Sequence, residues 1–234
     1  MKCYANGMKS SFTIPAAIVI GGIVVAVAVF FSLWDPSSTS NTGNPSLVRP
    51  VSSSDHILGN PAASVIIVEY SDFDCDYCKD FDEILRQIIA NEGANGEVAW
   101  VFREFPLIEI HPNAFSHARA AECAAQVAGN DAFWKFTNAL FANQPIDPSN
   151  YGTLASSSGI SSDAFATCFA NASSTLDARI NADRQNAIDI GAQGTPFSLL
   201  LVKNSDGWQT PIVMNGAYSY DAVKQLIDQA LQTK

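Results

Sequence analysis

The chain carries the stretch Ser64–Cys78, SVIIVEYSDFDCDYC, and its pattern decides how the rest of the chain is interpreted. Its first half, Ser64–Tyr70, is a short run rich in β-branched residues, which predicts a strand buried on both faces of a sheet. After Cys78, apolar residues recur at the spacing of one helix face: Phe81, Ile84, Leu85, Ile88 and Ile89. The stretch therefore predicts a strand that runs into an amphipathic helix, with a Cys-x-x-Cys motif at the junction.

A cysteine pair at the start of a helix has distinctive chemistry. The first turn leaves amide N–H groups without intrahelical partners, and the helix dipole is positive there. Both effects favour a thiolate and can lower a cysteine pKa from about 8.5 into the range ~3.5–7.5. We predict that Cys75 is the exposed attacking sulfur and that Cys78, one turn further, is the more buried resolving thiol. Their three-residue spacing puts both sulfurs on one helix face, close enough to form a disulfide.

Two other kinds of site also use a Cys-x-x-Cys pair. A structural zinc site takes such a pair as two of its four ligands. The sequence has no second Cys-x-x-Cys, and nothing in it places His111 or His117 near Cys75, so we expect no metal and no cofactor. A purely structural disulfide between Cys75 and Cys78 is the other alternative.

Glu69 is a carboxylate near the end of the otherwise apolar strand. Strand alternation places it on the same face as Val65, which directs it towards the interior near the cysteines. Burial would raise its pKa, and it could then exchange a proton with Cys78 during thiol transfer. The alternative is that Glu69 marks the end of the strand in solvent.

A second candidate element is Gly194–Pro196, which precedes the strand-like run Phe197–Val202. Proline has no amide hydrogen to donate inside a sheet, so Pro196 is expected where a strand begins. An X-Pro bond at such a junction can be cis, which would place the Thr195 backbone beside the two sulfurs. An ordinary trans turn proline is the alternative.

The region before this domain has a different character. Residues 14–34 carry no charge and are long enough to cross a bilayer as a helix. The basic residues of segment 1–13 precede them and Asp35 follows, so we expect a cytoplasmic N-terminus, a single-pass anchor in the cell membrane and an extracytoplasmic domain, periplasmic or on the outer face. The Ala26–Ala28 pattern allows a cleaved signal peptide as the alternative. Residues 35–55 have the composition of a flexible linker, and 56–234 are expected to form one domain.

Cysteine use and charge limit the classes of partner. Cys3 precedes the predicted membrane span, whereas Cys75, Cys78, Cys123 and Cys168 follow it. An even number of cysteines in an exported domain suggests disulfides, and four cysteines allow three pairings. The simplest one joins Cys75 to Cys78 as the redox-active pair and Cys123 to Cys168 as a structural bond. The net charge of −10 and the absence of a basic stripe argue against nucleic acid as a partner.

The domain resembles the DsbA-like thioredoxin-fold proteins, including the membrane-attached bacterial forms. The resemblance extends over nearly all of residues 56–234 and rests on Val68–Phe73 with Cys75–Cys78, Phe105–Leu107 with His111–Ala114, Ala121–Ala124, Phe133–Trp134, Leu140–Gln144 and Gly194–Pro196. It implies an α/β thioredoxin fold with an inserted helical subdomain at about 106–190.

The resemblance also implies a function. Cys75 would form a mixed disulfide with exported cysteine-containing proteins, Glu69 would be a buried acid, and Pro196 would be cis, with the Thr195 backbone pairing with substrate. A membrane redox partner would be either a quinone-linked reoxidase or an electron donor. We expect a monomer that forms disulfides; a reductase or isomerase, and a non-catalytic peptide-binding module, are the alternatives.

The sequence departs from the strongly oxidising family members between the cysteines. Asp76 and Tyr77 stand where those proteins have Pro-His. A histidine there helps to stabilise the thiolate, whereas the negative charge of Asp76 disfavours it. A less stabilised thiolate makes the disulfide less oxidising, so we expect a milder oxidant.

Overall fold

The computed structural model describes residues 43–171 and 174–232. The predicted cytoplasmic segment 1–13, the predicted membrane span 14–34 and the first part of the predicted linker lie outside the described residues. Within the ranges that are described, no helix combines the length and the apolar character needed to cross a bilayer.

A mixed sheet forms the centre of the described domain. Its strands are β1 (His56–Gly59), β2 (Val65–Ser71), β3 (Val98–Glu104), β4 (Phe197–Asn204), β5 (Gly207–Trp208) and β6 (Ile212–Asn215). They lie in the order β1–β3–β2–β4, and both β5 and β6 pair with β4. β2 and β3 are parallel, whereas the other pairs are antiparallel. Because β2 is central and covered on both faces, each of its residues is buried, which accounts for its run of apolar side chains.

The helices connect and cover the sheet. They are α1 (Asp76–Asn91), α2 (Ala114–Ala128), α3 (Asn130–Ala142), α4 (Tyr151–Ser157), α5 (Ser162–Ala170), α6 (Ser174–Asp189) and α7 (Tyr220–Gln232). α1 connects the parallel strands β2 and β3. The helices α2 to α6 lie between β3 and β4 in the chain, which agrees with the helical insertion predicted at about 106–190.

Apolar side chains cover both faces of the sheet. On one face, Phe81 and Leu85 of α1 and Ile227 of α7 share a core with residues of the insertion. On the other face, Ala187 of α6 and the adjacent Ile190 pack against β2, β3 and β4. The sheet is therefore enclosed between two helical layers, and the start of α1 projects from the end of its central strand.

Residues 43–55 belong to the folded domain, although their composition predicted a flexible linker. The buried guanidinium group of Arg103 donates hydrogen bonds to the carbonyl oxygens of Arg49 and Pro50 at 3.0 and 3.3 Å. It also donates to the carboxylate of Asp55 at 2.9 Å. The linker composition did not indicate this packing, because two of the four hydrogen bonds from Arg103 to this segment go to backbone carbonyl groups, which are present whatever the composition.

The helical insertion contains its own covalent link. Cys123 of α2 and Cys168 of α5 form a disulfide across a sequence separation of 45 residues, which is the pairing expected for the two cysteines outside the motif. Cys123 is fully buried, whereas Cys168 is only partly buried against the same core. The bond therefore joins the long first helix of the insertion to one of its short helices.

Candidate active site

Cys75 is the N-cap residue of α1, with extended backbone angles of φ −84° and ψ 119°. Its carbonyl oxygen accepts hydrogen bonds from the N–H groups of Cys78 and Lys79 at 3.1 and 3.2 Å. Cys78 lies in the first turn and is fully buried, as predicted. Cys75 is less exposed than predicted, at 8%; it is part of the core on this face of the sheet, and the backbone of Thr195 is one of the groups that lie against its sulfur.

The two thiols have opposite acid–base properties. A hydrogen bond from the Cys78 thiol lowers the pKa of Cys75 to about 6. Burial of Cys75 opposes this shift. Hydrogen bonds from the Thr195 side chain and from the N–H groups of Cys78 and Tyr77 add to the lowering of the pKa. Burial raises the pKa of Cys78 well above its usual value, and the negative charges of Cys75 and Glu69 raise it further. At neutral pH the arrangement therefore favours a thiolate on Cys75 beside a protonated Cys78.

Glu69 lies in the interior, on the side of β2 that faces Cys78. It is fully buried, and its Oε2 accepts a hydrogen bond from Trp100 Nε1 at 3.0 Å. Burial raises the pKa of Glu69 to about 8, and the negative charge of Asp82 adds to the increase. The charge of Glu69 also acts on Cys78, so the two groups are close enough for their protonation states to be coupled. The solvent-exposed alternative for Glu69 is therefore wrong.

Thr195 and Pro196 lie directly opposite the start of α1. The Thr195–Pro196 peptide bond is cis, and β4 begins at the next residue, Phe197. The carbonyl oxygen of Thr195 lies 3.4 Å from Cys75 Sγ. The predicted substrate-binding backbone is thus next to the predicted attacking sulfur, although the two are 120 residues apart in the chain.

The two residues between the cysteines are on the surface. Tyr77 is 69% exposed and Asp76 is exposed in the first turn of α1. A carboxylate in the first turn is favourable for the helix dipole, while its negative charge is unfavourable for a thiolate on Cys75. Asp76 therefore stabilises the helix but disfavours the Cys75 thiolate. Its effect on the redox potential stays a prediction.

Sequence reasoning missed two aspartate–histidine pairs beside the motif. His111 Nδ1 lies 2.9 Å from the carboxylate of Asp72, and His117 Nε2 lies 3.1 Å from that of Asp74. Asp74 directly precedes Cys75 and Asp72 lies three residues before it, so both histidines lie close to the motif, which the sequence did not indicate. The only signal was the family segment His111–Ala114, which carries no indication of a partner. Within the described residues, no three or more His, Cys, Asp or Glu side chains are grouped to hold a metal ion.

Sequence comparisons place this domain among known proteins. A family model described as "Thioredoxin" matches residues 52–229. A "Na(+)/H(+) antiporter NhaA 1" of Mycolicibacterium gilvum is 31% identical over 183 residues, which covers 76% of this chain and 29% of that protein. The chain thus spans less than a third of the length of the first curated relatives that it matches.

Solved structures show the same fold. The crystal structure of Wolbachia pipientis alpha-DsbA1 has a TM-score of 0.68 at 21% identity, covering 81% of this chain and 96% of that one. Oxidised BdbD from Bacillus subtilis has a TM-score of 0.64 at 24% identity, covering 76% and 93% of the two chains. Together with the family-model match, these similarities show that the chain belongs to the thioredoxin family and has the DsbA-like form of its fold.

Proposed function

We propose that this protein is a thiol–disulfide oxidoreductase that forms disulfides in exported cysteine-containing proteins. The observation that carries the proposal is the pairing of a Cys75 thiol of lowered pKa, at the start of α1, with a buried, protonated Cys78. Disulfide exchange needs a thiolate that leaves readily, here Cys75, beside a thiol that stays protonated, here Cys78. The adjacent Thr195 backbone offers a carbonyl for an extended client segment.

The reaction begins with the Cys75–Cys78 disulfide. A client thiolate attacks Cys75 Sγ, and the bond to Cys78 breaks with its electron pair on Cys78, which takes up a proton that Glu69 can supply. A second client thiolate then attacks the client sulfur of the mixed disulfide and expels the Cys75 thiolate. Two electrons pass from the client dithiol to the enzyme, and a client disulfide forms.

The proposal includes a location and two kinds of partner. The uncharged segment 14–34 supports a single-pass anchor with the catalytic domain outside the cytoplasm. The disulfide between Cys123 and Cys168 is typical of an oxidising compartment. Repeated turnover as an oxidase requires a membrane redox partner that accepts two electrons from the Cys75–Cys78 dithiol.

The direction of electron flow is part of the proposal. A lowered pKa of Cys75 stabilises the reduced form of the pair and therefore makes the disulfide more oxidising. Three large apolar side chains are exposed near the site. Tyr77 lies within the motif, whereas Ile108 and Ile110 lie on the loop after β3, in which the N–H of Leu107 donates a hydrogen bond to the carboxylate of Asp72. They would suit clients whose apolar segments are still unfolded.

Paired cysteine variants test the chemistry. With the complete chain and a reduced peptide dithiol, we expect oxidised wild type to form the peptide disulfide and Cys75→Ser to form none. Cys78→Ser cannot hold the Cys75–Cys78 disulfide and should form none either. With a disulfide-bonded peptide, however, its Cys75 thiolate should attack, release one peptide thiolate and accumulate the mixed disulfide, because Cys78 is not there to resolve it. Full peptide binding with no oxidation by the wild type would reject the oxidase, and if the reduced wild type also fails to reduce a disulfide-bonded peptide, the protein is a non-catalytic binding module.

The thiol state in the cell tests the direction. Alkylation of the membrane fraction should find Cys75 and Cys78 mostly as a disulfide if the protein is an oxidase. A mostly reduced pair would reject the oxidase and support a reductase or isomerase. The Cys123–Cys168 bond provides an internal control, because it is expected to stay oxidised in both cases.

A further inference from the structure

The carboxylate of Asp72 links the motif loop to the loop that follows β3. Asp72 is fully buried; its Oδ1 accepts a hydrogen bond from the N–H of Asp74 at 2.8 Å, and its backbone carbonyl accepts one from the N–H of Cys75 at 3.2 Å. Its Oδ2 accepts from the N–H of Leu107 at 2.7 Å and lies 2.9 Å from His111 Nδ1. The position of His111 is therefore determined by the same residue that shapes the backbone before Cys75.

The surroundings of His111 favour its protonated form. The imidazole side chain is 22% exposed, and burial lowers its pKa. The hydrogen bond to Asp72 and the negative charges of Asp72, Asp74 and Cys75 outweigh that effect, so the pKa of His111 lies above its usual value. The interaction between two charges is mutual, so a protonated His111 also favours a thiolate on Cys75, as a smaller effect than the hydrogen bonds from Cys78 and Thr195.

We propose that His111, held by Asp72, is a positioning residue for disulfide exchange whose positive charge stabilises the Cys75 thiolate from outside the Cys-x-x-Cys motif. The inference rests on the proposed function and adds a residue that tunes the same site. The motif itself supplies Asp76 and Tyr77 between its cysteines and no cation. In this protein the tuning charge comes from the loop after β3.

The effect belongs to one step of the exchange. When the second client thiolate attacks the client sulfur, the bond between that sulfur and Cys75 Sγ breaks, and its electron pair stays on Cys75. The positive charge of protonated His111 lowers the energy of the leaving Cys75 thiolate. His111 transfers no proton in this step. It also stabilises the reduced enzyme relative to the disulfide, so it makes the enzyme more oxidising.

A structural role for His111 predicts different results from an electrostatic one. Glutamine can keep a hydrogen bond to Asp72 without carrying a charge, so His111→Gln separates the two roles. We expect His111→Gln to raise the pKa of Cys75, measured from the ultraviolet absorbance of the thiolate. The equilibrium with glutathione should shift about threefold to tenfold towards the disulfide, which corresponds to ~15–30 mV.

Two further variants complete the test. His111→Lys restores a positive charge and should recover most of the shift in the equilibrium. Glu109→Gln removes a charge from the same loop, where the Glu109 side chain is 64% exposed and pairs with Arg184, and should leave the pKa of Cys75 unchanged. The difference in exchange rate between wild type and His111→Gln should disappear at alkaline pH, where the imidazole is neutral.

The possible outcomes separate this inference from the proposed function. If His111→Gln folds and its Cys75 titrates as in the wild type, His111 does not tune the thiolate, and the inference is overturned even if exchange continues. If the wild type catalyses no exchange, the proposed function fails. The titration of Cys75 still decides the inference in that case, because it needs neither client nor turnover.

Discussion

Trp100 Nε1 donates a hydrogen bond of 3.0 Å to Glu69 Oε2 beneath the Cys-x-x-Cys motif. Both residues are fully buried, and they lie on the neighbouring parallel strands β3 and β2. This contact holds a carboxyl group in the interior, where burial raises its pKa to about 8. Glu69 is thus protonated at neutral pH and can supply a proton to Cys78.

Replacement of Glu69 should slow the exchange. Glutamine has a similar shape but cannot transfer a proton, so we expect Glu69→Gln to lower the rate of client oxidation at pH 7 by about 10²-fold or more. Stopped-flow measurement with a peptide dithiol checks this, with Glu83→Gln on the exposed side of α1 as the matched control. Equal rates in the two variants would exclude a role for Glu69 in proton transfer.

The same residue should make stability depend on pH. The pKa of Glu69 is about 8 in the folded protein and 4.5 without the effects of the fold, so the folded state retains a proton that the unfolded chain has lost. Stability should therefore fall as the pH rises from 5 to 8, by at most about 1.4 kcal/mol per pH unit from this group. Denaturant titrations of Glu69→Gln should show a flatter profile across that window, and a profile parallel to the wild type would contradict the prediction.

Asp76 should make the protein a milder oxidant. Neutralising a negative charge next to Cys75 favours the thiolate, so we expect Asp76→Asn to lower the pKa of Cys75 and to increase the oxidising equilibrium constant about twofold to tenfold. The equilibrium with glutathione measures this change. Asp80→Asn, exposed on the next turn of α1, is the control. An unchanged or more reducing equilibrium for Asp76→Asn would show that its charge does not restrain the enzyme.

Arg103 should hold the segment 43–55 on the domain. Its side chain is 1% exposed and pairs with Asp55, so Arg103→Gln leaves a buried carboxylate with a weaker partner and should cost about 3–5 kcal/mol of stability. Limited proteolysis should then cleave within 43–55 before the rest of the domain. Arg184→Gln breaks an exposed ion pair and should cost less than ~1 kcal/mol. Similar losses in both variants would show that burial of Arg103 contributes little.

The local parts of the fold could be predicted from the sequence. The run Val65–Val68 and the helical spacing after Cys78 determined β2, α1 and the junction between them, because strand and helix periodicities depend only on neighbouring residues. The same alternation correctly placed Glu69 on the interior face. Composition failed for residues 43–55, because the hydrogen bonds from Arg103 to backbone carbonyl groups have no composition signature.

By itself the sequence determined that two cysteines lie at the start of a helix that follows a buried strand. Only the tertiary structure decided what surrounds them: the carbonyl group of Thr195, 3.4 Å from Cys75, and His111, which Asp72 binds from the next loop. These contacts join residues distant in the chain, and a carbonyl group or a lone histidine carries no sequence signal of its partner. The packing of β4 and of the loop after β3 against the start of α1 brings these groups together, and it depends on the whole core.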